Sequence, residues 1–507
     1  MSVQKIAKET KTKYSTNGRG WILAALMFTI MLAAMDATIV STAIPHIVGD
    51  LGGFSMFSWV FSIYLLTQMV TIPIYGKLAD LYGRKPILIF GTIVFLIGSA
   101  TSAFAWDMLS LIVFRGLQGI GAGAIMANVN TLAGDLFSLE ERAKIQGWLS
   151  SVWGMAAIVG PALGGAFAEY MSWRWIFLIN IPIGLISIIL IMIFLKENVV
   201  KQKRKLDIPG AFMMLITGGT VIYTLMEGGQ AWAWNSSTSF TMITISILLI
   251  IATVYVEKKS PEPILPKWVW QDRTLVGANL AMIAMGTIMI GPNMYLPMFG
   301  QSVLSLGAIA SGFVLASISI GWPIASSLSG KLYLKIGFRS TGMMGAIILI
   351  VLSTTFVLLP FQASVWMLVV NHILMGAGYG LLSTSTMVGI QSKVPWEKRG
   401  VVTSTNMFAR YLGQSIGAAI LGGVFNASMG KHLRNAPAQL DGKLPEVNDV
   451  VDVLQAPETS ATVLDYLKHG FFEATHNVYL VMAITAVLAL IAISIQPKGL
   501  NGNQEIK

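Results

Sequence analysis

Apolar runs of about membrane width recur fourteen times along this chain, and nothing else in the sequence constrains its fold so tightly. They fall at about 21–44, 57–76, 86–105, 108–133, 145–168, 175–195, 208–226, 238–256, 275–299, 306–330, 340–360, 365–392, 403–428 and 475–496. Roughly 20 helical residues cross a hydrocarbon layer of ~30 Å. In that layer each backbone N–H and C=O must be satisfied within its own segment, so the runs are expected to be helices. The first run, starting near Trp21, is wider than a signal-peptide core of ~7–15 residues and reads as a retained span. Only 11% of the 507 residues are charged, against about 25% in a soluble domain, so lipid is the expected solvent. The chain has no cysteine, which excludes disulfides and thiolate metal sites. His46, His372, His432, His469 and His476 are scattered without metal-ligand spacing, so no metal or other cofactor is expected.

The net charge of +10 would suit a nucleic-acid binder, but its placement gives another reading. With the N-terminus set in the cytoplasm, 27 of the 34 Lys and Arg residues fall in segments on the inner side and five in outer loops. The other two, Arg115 and Arg410, lie inside spans. That asymmetry is the topology signal of a multi-pass protein of a bacterial inner or plasma membrane, with both termini cytoplasmic and no nucleic-acid partner. The stretch GKLADLYGRKP (76–86) recurs as GKLYLKIGFRS (330–340), each copy following an even-numbered span on the inner side. Two six-span bundles and an inserted helix pair explain the recurrence. Residues 1–200 form the first bundle, 201–273 the inserted pair with its linkers, and 274–507 the second bundle. Parallel six-span repeats around a central site are a transporter architecture. The outer loop 429–474 is acidic, and the stretch from Thr459 to His476 has apolar residues at helical spacing, either a helix entering the last span or an extracellular hairpin.

Asp36 is the one carboxylate deep within any of the fourteen windows. A charge at mid-membrane costs about 2.5–3.5 kcal/mol on insertion scales, so it requires a partner or a use. Arg115 lies at about the same depth, ~10–12 Å from the outer edge, and is the expected partner. The pair is either a static structural bridge or a protonatable carboxylate tuned by a cation; the second is the functional reading. Span 4 reads RGLQGIGAGAIMANVN, whose glycines allow close helix approach and whose Gln118 and Asn128 must face protein or water. Span 5 reads GMAAIVGPALGGAF, where Gly154, Gly160, Pro161 and Gly164 suggest a smooth, bent helix at a moving interface. In the first repeated loop Gly76, Asp80, Gly83 and Arg84 are the candidate conformational latch, with Asp80 capping a helix or pairing with a cation. Arg410 has no acid within spans 9–14 and is expected to bond to carbonyls, Asn406, Gln414, water or an anionic group on a substrate. With Met35, Gln118, Asn128, Met294, Tyr295, Met298 and Gln301 it forms the candidate substrate cavity, flexible sulfur and aromatic surface suiting varied flat ligands. Glu227, at the outer end of span 7, reads as solvated.

These stretches resemble the major facilitator superfamily, and more narrowly its fourteen-span drug:proton antiporters of the EmrB and QacA type. GKLADLYGRKP is similar to the superfamily's loop between spans 2 and 3, RGLQGIGAG to its span 4 motif, and GMAAIVGPALGG to the antiporter motif of span 5. AAMDATIVSTAIP resembles the family's span 1, and WRWIFLINIPIG the entry to span 6. The resemblance covers almost the whole chain. It implies the major facilitator fold, a proton-coupling role for Asp36 and Arg115, and export of small amphipathic or lipophilic compounds, monovalent cations and zwitterions among them. The second loop copy departs from the first, with Leu334 where Asp80 stands.

The expected mechanism is alternating access by a single chain, which is no enzyme, around a cavity between spans 1, 4, 9 and 10. Its partners are then small amphipathic molecules, protons and the bilayer. Two alternatives stay open at this point, export of an endogenous metabolite or lipid, and a receptor or scaffold that transports nothing. No GxxxxGK[ST] stretch supports ATP-driven pumping.

Overall fold

The computed structural model describes residues 18–51, 57–197, 207–228, 232–261, 263, 265–437, 440, 444–445, 450–455 and 460–497. The first half comprises α1 (Arg19–Leu51), α2 (Phe57–Tyr82), α3 (Arg84–Ala103), α4 (Met108–Leu136), α5 (Leu139–Tyr170), α6 (Trp175–Leu178) and α7 (Asn180–Phe194). Helices α8 (Ile208–Glu227) and α9 (Ser237–Lys259) follow, then the short α10 (Lys267–Gln271). The second half comprises α11 (Arg273–Ser302), α12 (Ala308–Ala316), α13 (Ile318–Ile336), α14 (Phe338–Val357), α15 (Val365–Lys393), α16 (Arg399–Arg434), α17 (Val450–Gln455) and α18 (Ala461–Ser494). Each apolar window coincides with a helix, or in two cases with a broken one. Span 6 is split at Ile179 and span 10 at Ser317. Among the described residues, eleven stretches are long and apolar enough to cross a membrane. Among the same residues α8 gives a shorter apolar helix, Pro209–Thr224.

Side-chain chemistry sets several helix starts. Asp107 and Ser110 close a reciprocal capping box on α4, and Ser138 and Glu141 do the same for α5. Asp272 accepts from Thr274 N and Leu275 N at the start of α11. The junctions α2–α3 and α13–α14 turn on Gly83 and Gly337, with φ of 100° and 89°. A side chain there would meet its own carbonyl, so glycine is needed in both copies of the repeated loop.

The halves repeat in three dimensions. In the first, α4 packs on α2 and α3, α1 on α5 and α7, and α3 on α7; in the second, α15 packs on α13 and α14, α11 on α16 and α18, and α14 on α18. The register is shared as well. α4 and α15 are both 29 residues long. A Cβ on Gly121 of α4 would lie 2.3 Å from Phe95 N and 2.6 Å from Gly91 O, whereas one on Gly378 of α15 would meet Leu349 at 3.0 Å and Gly345 O at 3.1 Å. Likewise Gly119 abuts Tyr64 of α2, and Gly376 abuts Ile318 of α13. Superposing these contacts puts His372 where the first half has Arg115. His372 is fully buried, with its edge against the Phe356 ring at 5.6 Å and no hydrogen-bond partner for either ring nitrogen among the described residues.

The two halves meet chiefly through α5 on α13 and α2 on α16, while α8 and α9 pack on each other and α8 lies against α2 and α16. The inserted pair thus sits outside the two-fold repeat. Beyond the apolar windows α16 and α18 continue as helices, and the approach to the last span from Ala461 is helical, not a hairpin. Tyr466 Oη donates to His432 O at 2.6 Å, and His432 Nδ1 lies 3.2 Å from Glu473 Oε2, tying the two extensions together.

Candidate functional site

Asp36 projects from α1 and Arg115 from α4, and the structure brings them into contact. Arg115 Nη1 donates to Asp36 Oδ2 at 2.5 Å and to Gln118 Oε1 at 2.7 Å. Gln118 Nε2 donates to Asp36 Oδ1 at 2.8 Å, which closes the triangle. Arg115 Nε donates to Val60 O at 3.3 Å, and the guanidinium lies over the Tyr64 ring at 4.3 Å. Asp36, Gln118 and Arg115 are 0%, 0% and 1% exposed, so the charges are neutralised within the first half and sealed from solvent. Separating such a pair by removing one charge costs about 3–5 kcal/mol, because the other is left buried alone.

A second cluster closes the end of the molecule that carries the basic loops. Asp80 Oδ1 lies 2.6 Å from Arg84 Nη2, and Arg84 Nε lies 2.8 Å from Asp135 Oδ2. Asp135 Oδ1 reaches Arg399 Nη1 of the second half at 3.3 Å. Asp80 Oδ2 also crosses the interface, accepting from Val401 N at 3.2 Å. Val401 lies in the first turn of α16, whose N-cap Lys398 makes no side-chain capping bond. Asp80 thus caps α16 from the other half, both as an acceptor and as a negative charge at the positive end of the helix dipole. Gly76 permits the approach, since a Cβ there would lie 2.3 Å from Ser404 Oγ and 2.9 Å from Gly400 O.

The departure at Leu334 has a physical reason. The second loop copy faces α5, whose first turn is already served by Ser138 and Glu141 of its own chain segment. No acid is needed there, and contact is made instead by Tyr333 Oη donating to Leu139 O at 2.9 Å. Asp135 escaped the sequence reading because its window ended at residue 133, whereas α4 runs on to Leu136 and buries it to 4% exposure. An acid at the basic end of a span was the available signal.

The remaining candidates scatter. Gly154 faces the other half, where a Cβ would lie 2.7 Å from Ser319 Cβ of α13. Gly160 faces α1 within its own half, against Thr38, which donates to Ala156 O at 2.9 Å. Gly164 is buried; α5 runs unbroken through residue 161, and the Pro161 side chain lies outside the described residues, as does that of Met298. Met35 packs in the core of the first half, and Asn128 bonds back to Ala124 O at 2.8 Å. Tyr295 stacks on Phe425 at 4.9 Å inside the second half. Met294 is exposed, and Gln301 and Arg410 are half-buried. Of the expected partners of Arg410, Asn406 Nδ2 donates to Asn279 Oδ1 at 3.1 Å and Gln414 Nε2 to Met289 Sδ at 3.6 Å, while Asn406 Oδ1 is buried without a hydrogen-bond partner among the described residues. Glu227 is half-buried and accepts from Trp59 Nε1 at 3.3 Å. Of the spans expected around the cavity, span 10 does not pair with span 4, and span 12 meets it instead. Its helix α15 reaches α4 through Gln391, which donates to Asn130 O at 3.3 Å, whereas α13 of span 10 packs on α5.

The sequence profile described as Major Facilitator Superfamily matches residues 26–418. The chain belongs to this superfamily. A relative from Bacillus subtilis (strain 168), "Multidrug transporter protein MdtP", is 32% identical over 96% of this chain and 94% of its own length. Another from the same organism, "Multidrug resistance protein 3", is 33% identical over 96% and 95%. Among solved structures the human organic anion transporter MFSD10 (TETRAN) superposes with a TM-score of 0.64, covering 94% of this chain and 99% of its own at 12% identity, a likeness of fold alone. As a superfamily member the chain is a multi-pass membrane transporter of small molecules with the major facilitator fold.

Proposed function

We propose that this transporter is a proton-coupled antiporter exporting small amphipathic or lipophilic compounds across a bacterial plasma membrane, with both termini and the basic loops in the cytoplasm. The observation that carries this reading is the sealed Asp36–Arg115–Gln118 triangle. Protonating Asp36 would remove the charge that holds Arg115. The pair would have to reopen, moving α1 relative to α4. The cytoplasmic cluster then reports the other half of the cycle. Its bonds across the interface, from Asp80 to Val401 and from Asp135 to Arg399, hold that end shut, as in an outward-facing protein. The two six-helix bundles rock against each other along α5–α13 and α2–α16, with α8 of the inserted pair lying along the α2–α16 side. The multidrug relatives support drugs as the cargo class.

The test is substrate accumulation in inverted vesicles energised by a pH gradient, with and without an uncoupler. The wild-type chain should accumulate an amphipathic dye only while the gradient lasts. Asp36→Asn should insert normally, bind dye, and accumulate none. Gradient-driven accumulation by that variant at the wild-type rate would remove Asp36 from the coupling.

A further inference from the structure

We infer that Arg410 anchors an acidic group on the transported compound, so that the preferred cargo is an amphipathic anion or zwitterion and not a permanent cation. This rests on the exporter reading only for the word cargo; the binding claim stands separately. Arg410 shares one face of α16 with Thr403, Asn406, Met407 and Gln414, spaced by single and double helical turns. Their partners fix where that face looks. Thr403 Oγ1 accepts from Gln391 of α15 at 3.0 Å, and Asn406 and Gln414 bond to α11. Met407 Sδ accepts from Asn130 of α4 at 3.4 Å, across the interface. Arg410 therefore stands where α11, α15 and α4 converge, about two and a half to three turns toward the acidic-loop end from the contacts that shut the basic end.

Its charge is unanswered. Arg410 Nε is buried without a hydrogen-bond partner among the described residues, and the guanidinium carbon lies 5.1 Å from the Tyr411 ring. Between Thr274 and Leu440 the sequence holds one acid, Glu397, which lies in the basic-end 3₁₀ turn beyond the spans. Asp36 has both oxygens engaged by Arg115 and Gln118. A guanidinium cannot shed its proton, so at this depth it attracts an anion supplied from outside the chain. Its planar fork suits a carboxylate or sulfonate. Tyr411, Met289 and Met407 beside it offer the aromatic and polarizable surface that a flat organic body needs.

Two dyes differing only at the acid make the test, rhodamine 110 and its methyl ester rhodamine 123. Binding is read by fluorescence anisotropy on the full chain in lipid nanodiscs, with thermal melts as the check on folding. The wild type should bind the acid about ten- to a hundredfold more tightly than the ester, the range of a charge-assisted hydrogen bond. Arg410→Gln should weaken the acid alone and abolish that preference, and Arg410→Lys should restore part of it. A wild type that binds the ester as tightly as the acid overturns the inference. So does an Arg410→Gln variant that melts as wild type yet weakens both dyes equally, which marks a structural role. If Arg410→Gln does not fold, a folded Arg410→Lys carries the decision, and full retention of the acid's advantage with the fork removed overturns the bidentate anchor. If the wild type moves neither dye under a pH gradient but keeps an Arg410-dependent preference for the acid, the exporter reading falls and the anchor stands.

Discussion

Replacing Asp80 with Asn should open the basic end of the molecule. The substitution keeps the size of the side chain and one carbonyl oxygen, so Val401 N retains an acceptor, and Arg84 retains Asp135 Oδ2 at 2.8 Å. What disappears is the negative charge at the start of α16, together with the 2.6 Å ionic contact to Arg84. The Arg84 contact lies within the first half and persists whichever way the halves face, so it does not enter the difference between states. The contact with α16 does enter. A charge at a partly buried helix terminus is worth up to ~2 kcal/mol. A loss of about 2 kcal/mol shifts the closed-to-open ratio roughly thirtyfold, enough to turn a strongly closed population into a mixed one. The chain has no cysteine, so Lys144→Cys and Lys331→Cys on the exposed lips of the α5–α13 cleft can carry the only two spin labels. Pulsed electron–electron resonance should give a single short distance for the otherwise wild-type chain and a second, longer component with Asp80→Asn. An unchanged distribution would refute the capping argument.

Leu334→Asp should leave the same distance distribution unaltered, because Ser138 and Glu141 already occupy the first turn of α5. Gly147→Ala should also lengthen it, since a Cβ there would meet Ser327 Oγ at 1.8 Å and Pro323 O at 2.9 Å on the opposite half. Gly121→Ala acts within one half, against the backbone of Phe95 and Gly91, and should instead lower thermal stability by about 1–3 kcal/mol, read by melting in detergent. His372→Phe should melt within about 1 kcal/mol of wild type, because the imidazole it removes makes no hydrogen bond among the described residues. A large destabilisation would show that the ring has a partner.

Most of the architecture was legible in the residues. Apolar width, the placement of Lys and Arg and the doubled GKL loop indicated helices, halves and an inserted pair, because hydrocarbon leaves the backbone no alternative and makes every buried charge conspicuous. Conspicuousness also exposed Asp36 and Arg115, which equal depth alone paired. The substrate set was less legible. Met35 and Tyr295 have the chemistry of cavity residues, yet their side chains pack within their own bundles. Facing is decided by packing between helices far apart in sequence, to which composition is blind.

What the amino-acid order determined by itself is therefore everything that lipid enforces segment by segment: which stretches are helices, where the charges are tolerated, and that the chain is doubled. Only the tertiary structure decided that Asp80 caps a helix 321 residues away, that Asp135 joins Arg399, that His372 mirrors Arg115, and that Arg410 Nε is buried without a hydrogen-bond partner among the described residues. Each of these depends on the distance between two helices after folding, which no local pattern encodes.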